Sequence, residues 1–286
     1  MLNIILFPSS YFYPRRVDED LQTEYDAVLE TGLFEVILFE YNAWFNEGKL
    51  KLTNVPEEMS NAVYRGWMMK PEQYKKFYEL LLENNICLVN KPYQYEMLHV
   101  FPNVYQLLET DTAKMSVYPL YEDIDVNEIK DKYKKFMVKD YVKSVKGTDF
   151  PLYFDHTVSQ EEFNFWMDKF YKYRGNLLTG GICIKEYLSL KRYGANTNEF
   201  RVFYINHEIA SVSRNSGQSE YTSLPPTVLM KKYQYLDSLF YTIDYAELED
   251  GTWKIIEVGD GNVSGLSSYQ DNISFFSSLY YSFKDF

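Results

Sequence analysis

Residues 242–262 read TIDYAELEDGTWKIIEVGDGN, with Asp250-Gly251 set between two apolar-rich runs. Asp-Gly in that setting is the favoured signature of a two-residue type I′ turn, which predicts a β-hairpin and its register. Across such a turn Leu248 faces Trp253, Glu247 faces Lys254, Ala246 faces Ile255 and Asp244 faces Glu257. The first three pairs are favourable or harmless. The fourth places two carboxylates on one face with Cβ atoms about 5 Å apart. Like charges so placed cost stability unless a proton or a cation intervenes. A hard divalent cation taking oxygen from both is the simplest relief, with Mg²⁺ the natural candidate; the competing reading is an exposed hairpin whose carboxylates face water. The glycine-rich VGDGNVSGL that follows lets backbone approach a polyphosphate closely. It offers Asp260 and Asn262 as further oxygen ligands.

Cations stand upstream of this hairpin. FMVKDYV places Lys139 on the face of Met137 and Tyr141 in a strand otherwise suited to burial, and GGICIKEYL places Lys185 in an equally apolar run beside Glu186. A lysine there needs a partner. A nucleotide phosphate supplies one; an edge strand whose lysine reaches water is the plainer account. Between the two, KSVKGTDF carries Lys143, Lys146 and Gly147, a basic loop able to fold over phosphates. A hairpin centred on Asn206-His207 predicts Glu199 opposite Arg214 with Arg201 on the same face. A Glu199–Arg214 salt bridge leaves Arg201 as the freer guanidinium for phosphate or carboxylate. Arg65 follows the apolar AVY at a strand's carboxyl end, where ligands bind in parallel sheets.

The first third alternates in type: an apolar run at Asn3–Phe7, a helical stretch at Asp18–Thr31 closed by Gly32, a strand at Val36–Phe39, another at Ala62–Tyr64, a helix from Pro71 to Asn84 and a strand at Ile86–Val89. That is the grammar of a small parallel sheet flanked by helices. Past a boundary near residue 115 come a helix at Asn127–Tyr133, a strand at Phe136–Val142, a helix at Ser159–Tyr173, a strand at Gly181–Tyr187, and the two hairpins with a helix at Thr227–Leu239 between them. This second series is α+β with antiparallel strands.

With 29 basic and 41 acidic residues in 286, the net charge of −12 has the wrong sign for a broad nucleic-acid face. Cys87 and Cys183 lie in apolar runs without metal or disulfide spacing, which reads as buried thiols in a reducing cytoplasm. No apolar run approaches the length of a membrane span. The aromatic stripe FNFWMDKFYKY fits core packing at helical spacing. His99, His156 and His207 show no ligand spacing, and no nucleophile–histidine pattern stands out.

Taken in order, ILFPSSYFYPRRVDEDLQTEY, YRGWMMKPEQY, KDYVKS, IKEYL, NEFRVFYINHEI and IIEVGDGNVSGL resemble the ATP-grasp superfamily, and within it the clade named for two arginines and one lysine. The resemblance spans nearly the whole chain. It implies an α/β N-terminal domain over residues 1–114 and an α+β ATP-grasp domain of two β-rich lobes, about 115–185 and 186–286. It implies ATP held by Lys139, Lys143 and Lys185, with Glu186, Tyr187 and Leu188 as the adenine hinge. Arg201, with Arg65 and Arg214, makes up the catalytic set, and Asp244 and Glu257 bind Mg²⁺. The superfamily's usual asparagine two residues past the second acidic ligand is here Gly259, which leaves the third ligand open between Asp260 and Asn262. The activity implied is joining a small-molecule or peptide carboxylate to an amine through an acyl phosphate, in the cytoplasm, with no nucleic-acid or membrane partner. A kinase of the same fold and a non-catalytic nucleotide-binding module are the alternatives, and oligomeric state is left open.

Overall fold

The computed structural model describes residues 2–284; Met1, Asp285 and Phe286, the outer ends of the two sequence-predicted units, lie outside the described residues. The first apolar run forms β1 (Leu2–Pro8), followed by α1 (Gln22–Thr31), β2 (Glu35–Phe39), α2 (Tyr41–Phe45), β3 (Ser60–Tyr64), α3 (Pro71–Glu83) and β4 (Ile86–Leu88). The four strands are parallel in the order β2-β1-β3-β4. Gly32 ends α1 in the left-handed conformation at φ 64°, and Pro71 opens α3, where a missing N–H costs nothing. Both sheet faces are covered. Ile5 and Phe7 pack toward α1, while Ile4 and Leu6 pack toward Tyr74 and Phe77 of α3, the two-residue alternation of a strand buried on both sides.

Helices α4 (Pro92–His99) and α5 (Phe101–Leu108) lead into β5 (Met115–Tyr118), α6 (Val126–Lys132), β6 (Lys135–Asp140), β7 (Phe154–Asp155), α7 (Gln160–Arg174) and β8 (Ile182–Glu186). These strands form an antiparallel sheet, β5-β8-β6-β7. Ser159 caps α7 by accepting from the Glu162 N–H. As the stripe predicted, Phe163, Met167 and Phe170 pack with Phe136, Val138, Ile182 and Ile184, which covers one face. The other face is left for Met137, Lys139 and Lys185.

A short hairpin, β9 (Arg192–Tyr193) and β10 (Asn196–Thr197), precedes β11 (Glu199–Ile205), β12 (Glu208–Arg214), α8 (Thr227–Lys232), β13 (Phe240–Glu247), β14 (Trp253–Asp260) and α9 (Asn272–Ser282). The second antiparallel sheet runs β12-β11-β13-β14. The helix predicted to Leu239 stops at Lys232, and the next segment is held by side chains, with Tyr241 donating to the Tyr233 carbonyl at 2.6 Å. Helix α9 has no signal in its serine-interrupted sequence. It forms because Phe275, Phe276 and Leu279 bury against Leu2, Ile5 and Val28, so the chain's end closes its beginning. No helix among the described residues is long and apolar enough to cross a membrane. Cys183 is buried and Cys87 half-buried, both free.

Both hairpins correct the predicted register near their turns. In the β13–β14 hairpin, the Leu248 N–H donates to the Thr252 carbonyl at 2.7 Å and Gly251 sits at φ 85°. The loop is therefore the three residues Glu249–Gly251 with glycine in the left-handed position, not a two-residue turn. Glu247 consequently pairs with Trp253 and Ala246 with Lys254, until a bulge at Ile256 restores the predicted pairing of Asp244 with Glu257. In the β11–β12 hairpin a second bulge, at Ala210, puts Arg214 opposite Phe200 and Ser213 opposite Arg201. The expected Glu199–Arg214 pairing does not form.

Candidate active site

The two antiparallel sheets face each other across a cleft of about 730 Å³ lined by Lys139, Lys143, Lys185, Glu186, Tyr187, Leu188 and Glu257, among others. On the first sheet the register Met137↔Lys185 and Lys139↔Cys183 sets both lysines on the face turned away from the helices. Lys185 is buried. Its Nζ donates to the Ile256 carbonyl at 3.0 Å and lies 3.9 Å from the Phe101 ring centre. The bulge that corrects the hairpin register thus also supplies its partner across the cleft. Burial and the nearby Lys139 charge push Lys185 down to about 7. Glu186 and Tyr187 are held at the crossover between sheets by N–H bonds to the Lys114 and Lys135 carbonyls, at 2.8 and 3.0 Å.

The Lys185 shift has a measurable consequence. A lysine lowered in the folded state binds fewer protons than its unfolded counterpart between about pH 7 and its ordinary value, so stability rises with pH across that window. Lys185→Met is expected to flatten that rise in urea unfolding measured from pH 7 to 10. An unchanged slope would show that Lys185 is not its source.

A smaller chamber of about 130 Å³ continues from the cleft and is lined by Arg201, Asp244, Glu257, Lys143, Thr242, Gly259 and Ser264, with Met68, His99 and Phe101 from the N-terminal part. Arg201, on β11, binds Asp244, on β13, through two parallel bonds of 2.8 and 2.7 Å, and Lys143 reaches Glu257, on β14, at 2.8 Å. The opposed carboxylates therefore each carry a cationic partner. Burial raises Asp244, as does the neighbouring Glu257 charge, against the pull of Arg201. For Glu257 burial is outweighed by Lys139, Lys143 and Arg201, which hold it well below the usual carboxylate range. Burial and the Lys143 charge lower His99 to about 4, so its imidazole is neutral.

The donor chemistry fits a hard divalent cation. Two facing carboxylates reach one small polar chamber, the donor type that a hard cation takes. No group of three His, Cys, Asp or Glu side chains suited to a metal occurs among the described residues.

Four predicted site residues lie elsewhere. Arg65 is 2 % exposed and wholly engaged: Nε and Nη2 bind the Glu24 carboxylate at 2.8 Å each, Nη1 donates to the Gly261 carbonyl and Nη2 to the Ser264 carbonyl at 2.9 Å. It clamps the loop after β14 to α1 and does not face the cleft. Arg214 is turned from Arg201's position by the bulge in its hairpin. It stacks on Tyr269 at 4.2 Å and donates to the Gln218 carbonyl at 3.0 Å. Asp260 and Asn262 are fully buried on the N-terminal side. Asp260 accepts from Asn90 at 2.6 Å and from the Asn262 N–H at 2.9 Å; burial, against these bonds, pushes it up to about 7. Asn262 accepts from the Tyr64 N–H at 3.2 Å. The reason is parity: Glu257 and Gly259 point into the chamber, so Asp260 points out of it.

Several chamber residues escaped the sequence reading. Thr242 shares the parity of Asp244 and was legible from the same hairpin. Ser264, Met68, His99 and Phe101 arrive from a loop and from the N-terminal part, with no local signal.

A family model for an ATP-grasp domain, described as family 3 of the clade named for two arginines and one lysine, matches residues 125–279, more than half of the chain. No curated protein matches the sequence. Among solved structures the chain is similar to the ATP-grasp ligase PsnB complexed with minimal precursor, Mg and ADP (9% identity, 99% of this chain and 100% of that one, TM-score 0.60). It is also similar to the D-alanine-D-alanine ligase from Coxiella burnetii (9%, 99% and 94%, 0.63). A third is the macrocyclase MdnC bound with precursor peptide MdnA from Microcystis aeruginosa (13%, 98% and 99%, 0.56). At these identities the likeness is one of fold.

Proposed function

Since this chain belongs to the ATP-grasp domains, in the clade named for two arginines and one lysine, we propose that it is an ATP-dependent ligase that joins a carboxylate to an amine through an acyl phosphate. The observation that carries this reading is the opposed pair Asp244 and Glu257, each held by a cation, in a chamber continuous with the cleft between the sheets. A free carboxylate resists amines because its leaving group is oxide; phosphoryl transfer from ATP replaces that with phosphate. The protein's task is then chiefly to position groups and neutralise charge.

The roles divide along the two sheets. Lys139 and Lys185 face the triphosphate from the first, and Glu186, Tyr187 and Leu188 at the crossover hold the base. Arg201 and Lys143 steady the transferring phosphoryl group and the acid from the chamber side. Mg²⁺, held by Asp244 and Glu257, supplies neutralisation of the phosphate oxygens when bound. The loop Lys143–Gly147 lines the cleft through Lys143–Lys146 and covers it against water, which would hydrolyse the acyl phosphate. Residues 1–114 form the substrate-side domain and 115–185 and 186–286 the two lobes. Likeness to PsnB and MdnC, both bound to precursors, supports a peptide as the substrate that brings the carboxylate, the amine or both.

The purified protein with ATP, Mg²⁺ and a panel of acidic peptides and amines is expected to release ADP, and added hydroxylamine to divert the acid to a hydroxamate. AMP as the nucleotide product would sink the reading. A stable phosphorylated product without an amide would identify a kinase.

A further inference from the structure

Two residues along from the carboxylate pair, on the same face of β13 and β14, Thr242 stands opposite Gly259. Above Gly259 lies Ser264, whose Oγ is 2.8 Å from Thr242 Oγ1. Both hydroxyl protons are already committed. Ser264 donates to the Asp260 carbonyl at 2.8 Å, and Thr242 has its single proton for Ser264 at 2.8 Å, with the Gly259 carbonyl a longer acceptor at 3.4 Å. Thr242 Oγ1 is left with lone pairs and no donor aimed at it among the described residues, and Ser264 Oγ with one further lone pair. Both residues line the chamber with Asp244 and Glu257. The pair therefore has acceptor oxygens, not protons, to offer the chamber that the carboxylates line.

Gly259 makes this arrangement possible. A Cβ there would lie 2.9 Å from Ser264 Oγ and 3.3 Å from Thr242 Oγ1, closer than a methyl group tolerates. The strand needs no glycine for its conformation at this position, since Gly259 is not among the residues of positive φ. Its missing side chain is instead the space the hydroxyl pair occupies. The loop that carries Ser264 is pinned from behind, because the buried Arg65 donates to the Ser264 and Gly261 carbonyls.

We infer that the Thr242–Ser264 hydroxyl pair, seated over Gly259, is the third oxygen donor of the divalent-cation site, acting on the cation or on a water bound to it. The inference rests on the reading of Asp244 and Glu257 as that cation's carboxylates. A hard cation with two carboxylates completes its shell with neutral oxygens, and lone pairs on one face with those carboxylates are what it takes. Arg65 is then a positioning residue for the site, two bonds removed from it.

The test measures Mn²⁺ affinity of the full chain in the presence of ADP, from the free Mn²⁺ electron paramagnetic resonance signal, beside ADP affinity without metal. Thr242→Val and Ser264→Ala are expected to weaken Mn²⁺ binding about tenfold with metal-free ADP affinity unchanged. Gly259→Ala, which removes no hydroxyl, should do the same by displacing the pair, while Thr242→Ser keeps near-native affinity. Wild-type Mn²⁺ affinity in Thr242→Val and Ser264→Ala, with binding lost in Glu257→Gln, would overturn this inference alone. Unchanged affinity in Glu257→Gln as well would overturn the carboxylate reading beneath it. Should Ser264→Ala fail to fold, Thr242→Val against Thr242→Ser decides: equal affinities refute the hydroxyl's role, and a tenfold gap supports it.

Discussion

Glu257→Gln lowers ADP formation about 10²–10³-fold, the loss typical of removing one group that stabilises transition-state charge, and lowers the unfolding midpoint as well. The substitution keeps the side chain's volume and an acceptor oxygen for Lys143 while removing the charge. Its ion pair with Lys143 is partly exposed, 40% and 31%, so water screens that bond, but the charge also answers Lys139 and Arg201, and a carboxylate held so far down stabilises the fold at neutral pH. Asp244→Asn should behave likewise. Asp244 is 5% exposed and holds Arg201 by two bonds, so its neutralisation leaves a largely buried guanidinium without a counter-charge. Both variants are thus expected to lose turnover and stability together. Initial rates of ADP release and urea unfolding of both variants check this. Near-wild-type turnover in Glu257→Gln would remove the site from the reaction.

The second large effect lies where the sequence pointed to catalysis and the structure shows a clamp. Glu24→Gln leaves the Arg65 guanidinium, 2% exposed, with no carboxylate to answer its charge. Breaking one side of such a buried pair costs about 3–5 kcal/mol, a large share of a typical domain's stability. The double variant Glu24→Met/Arg65→Met should recover part of that loss, since no unpaired charge remains. It should not recover all of it, because the Gly261 and Ser264 carbonyls lose their donor. Urea unfolding of Glu24→Met, Arg65→Met and the double variant gives the coupling energy. Additive losses would mean that the pair contributes no more than its separate parts.

Much of the site was legible because strands impose strict periods. The two-residue alternation put Lys139 on the open face of its strand and Lys185 in an apolar run that demanded a partner, while Asp244 met Glu257 as predicted only because the Ile256 bulge offset the longer turn. The same alternation, carried two residues further, excludes Asp260 from the chamber and admits Thr242. A glycine-rich loop suggests ligand oxygens wherever they occur, and only parity distinguishes those facing the chamber from those buried behind it. Arg65 misled for a related reason: a strand's carboxyl end is where ligands bind, but a guanidinium there also satisfies the carbonyls of a neighbouring loop.

By itself the sequence determined the parallel-then-antiparallel order of the elements and the helix ends at Gly32 and Pro71. These depend on local propensity and on a period that short segments carry intact. Tertiary structure alone decided the exact turn lengths, the bulges at Ala210 and Ile256, the partners of Lys185 and Arg65, and the helix formed by Asn272–Ser282. Each of these depends on which distant segment arrives to bury a side chain or accept a proton. A bulge leaves a backbone carbonyl out of the ladder, and it is retained where a group from elsewhere, here Lys185 at the Ile256 carbonyl, takes the freed atom.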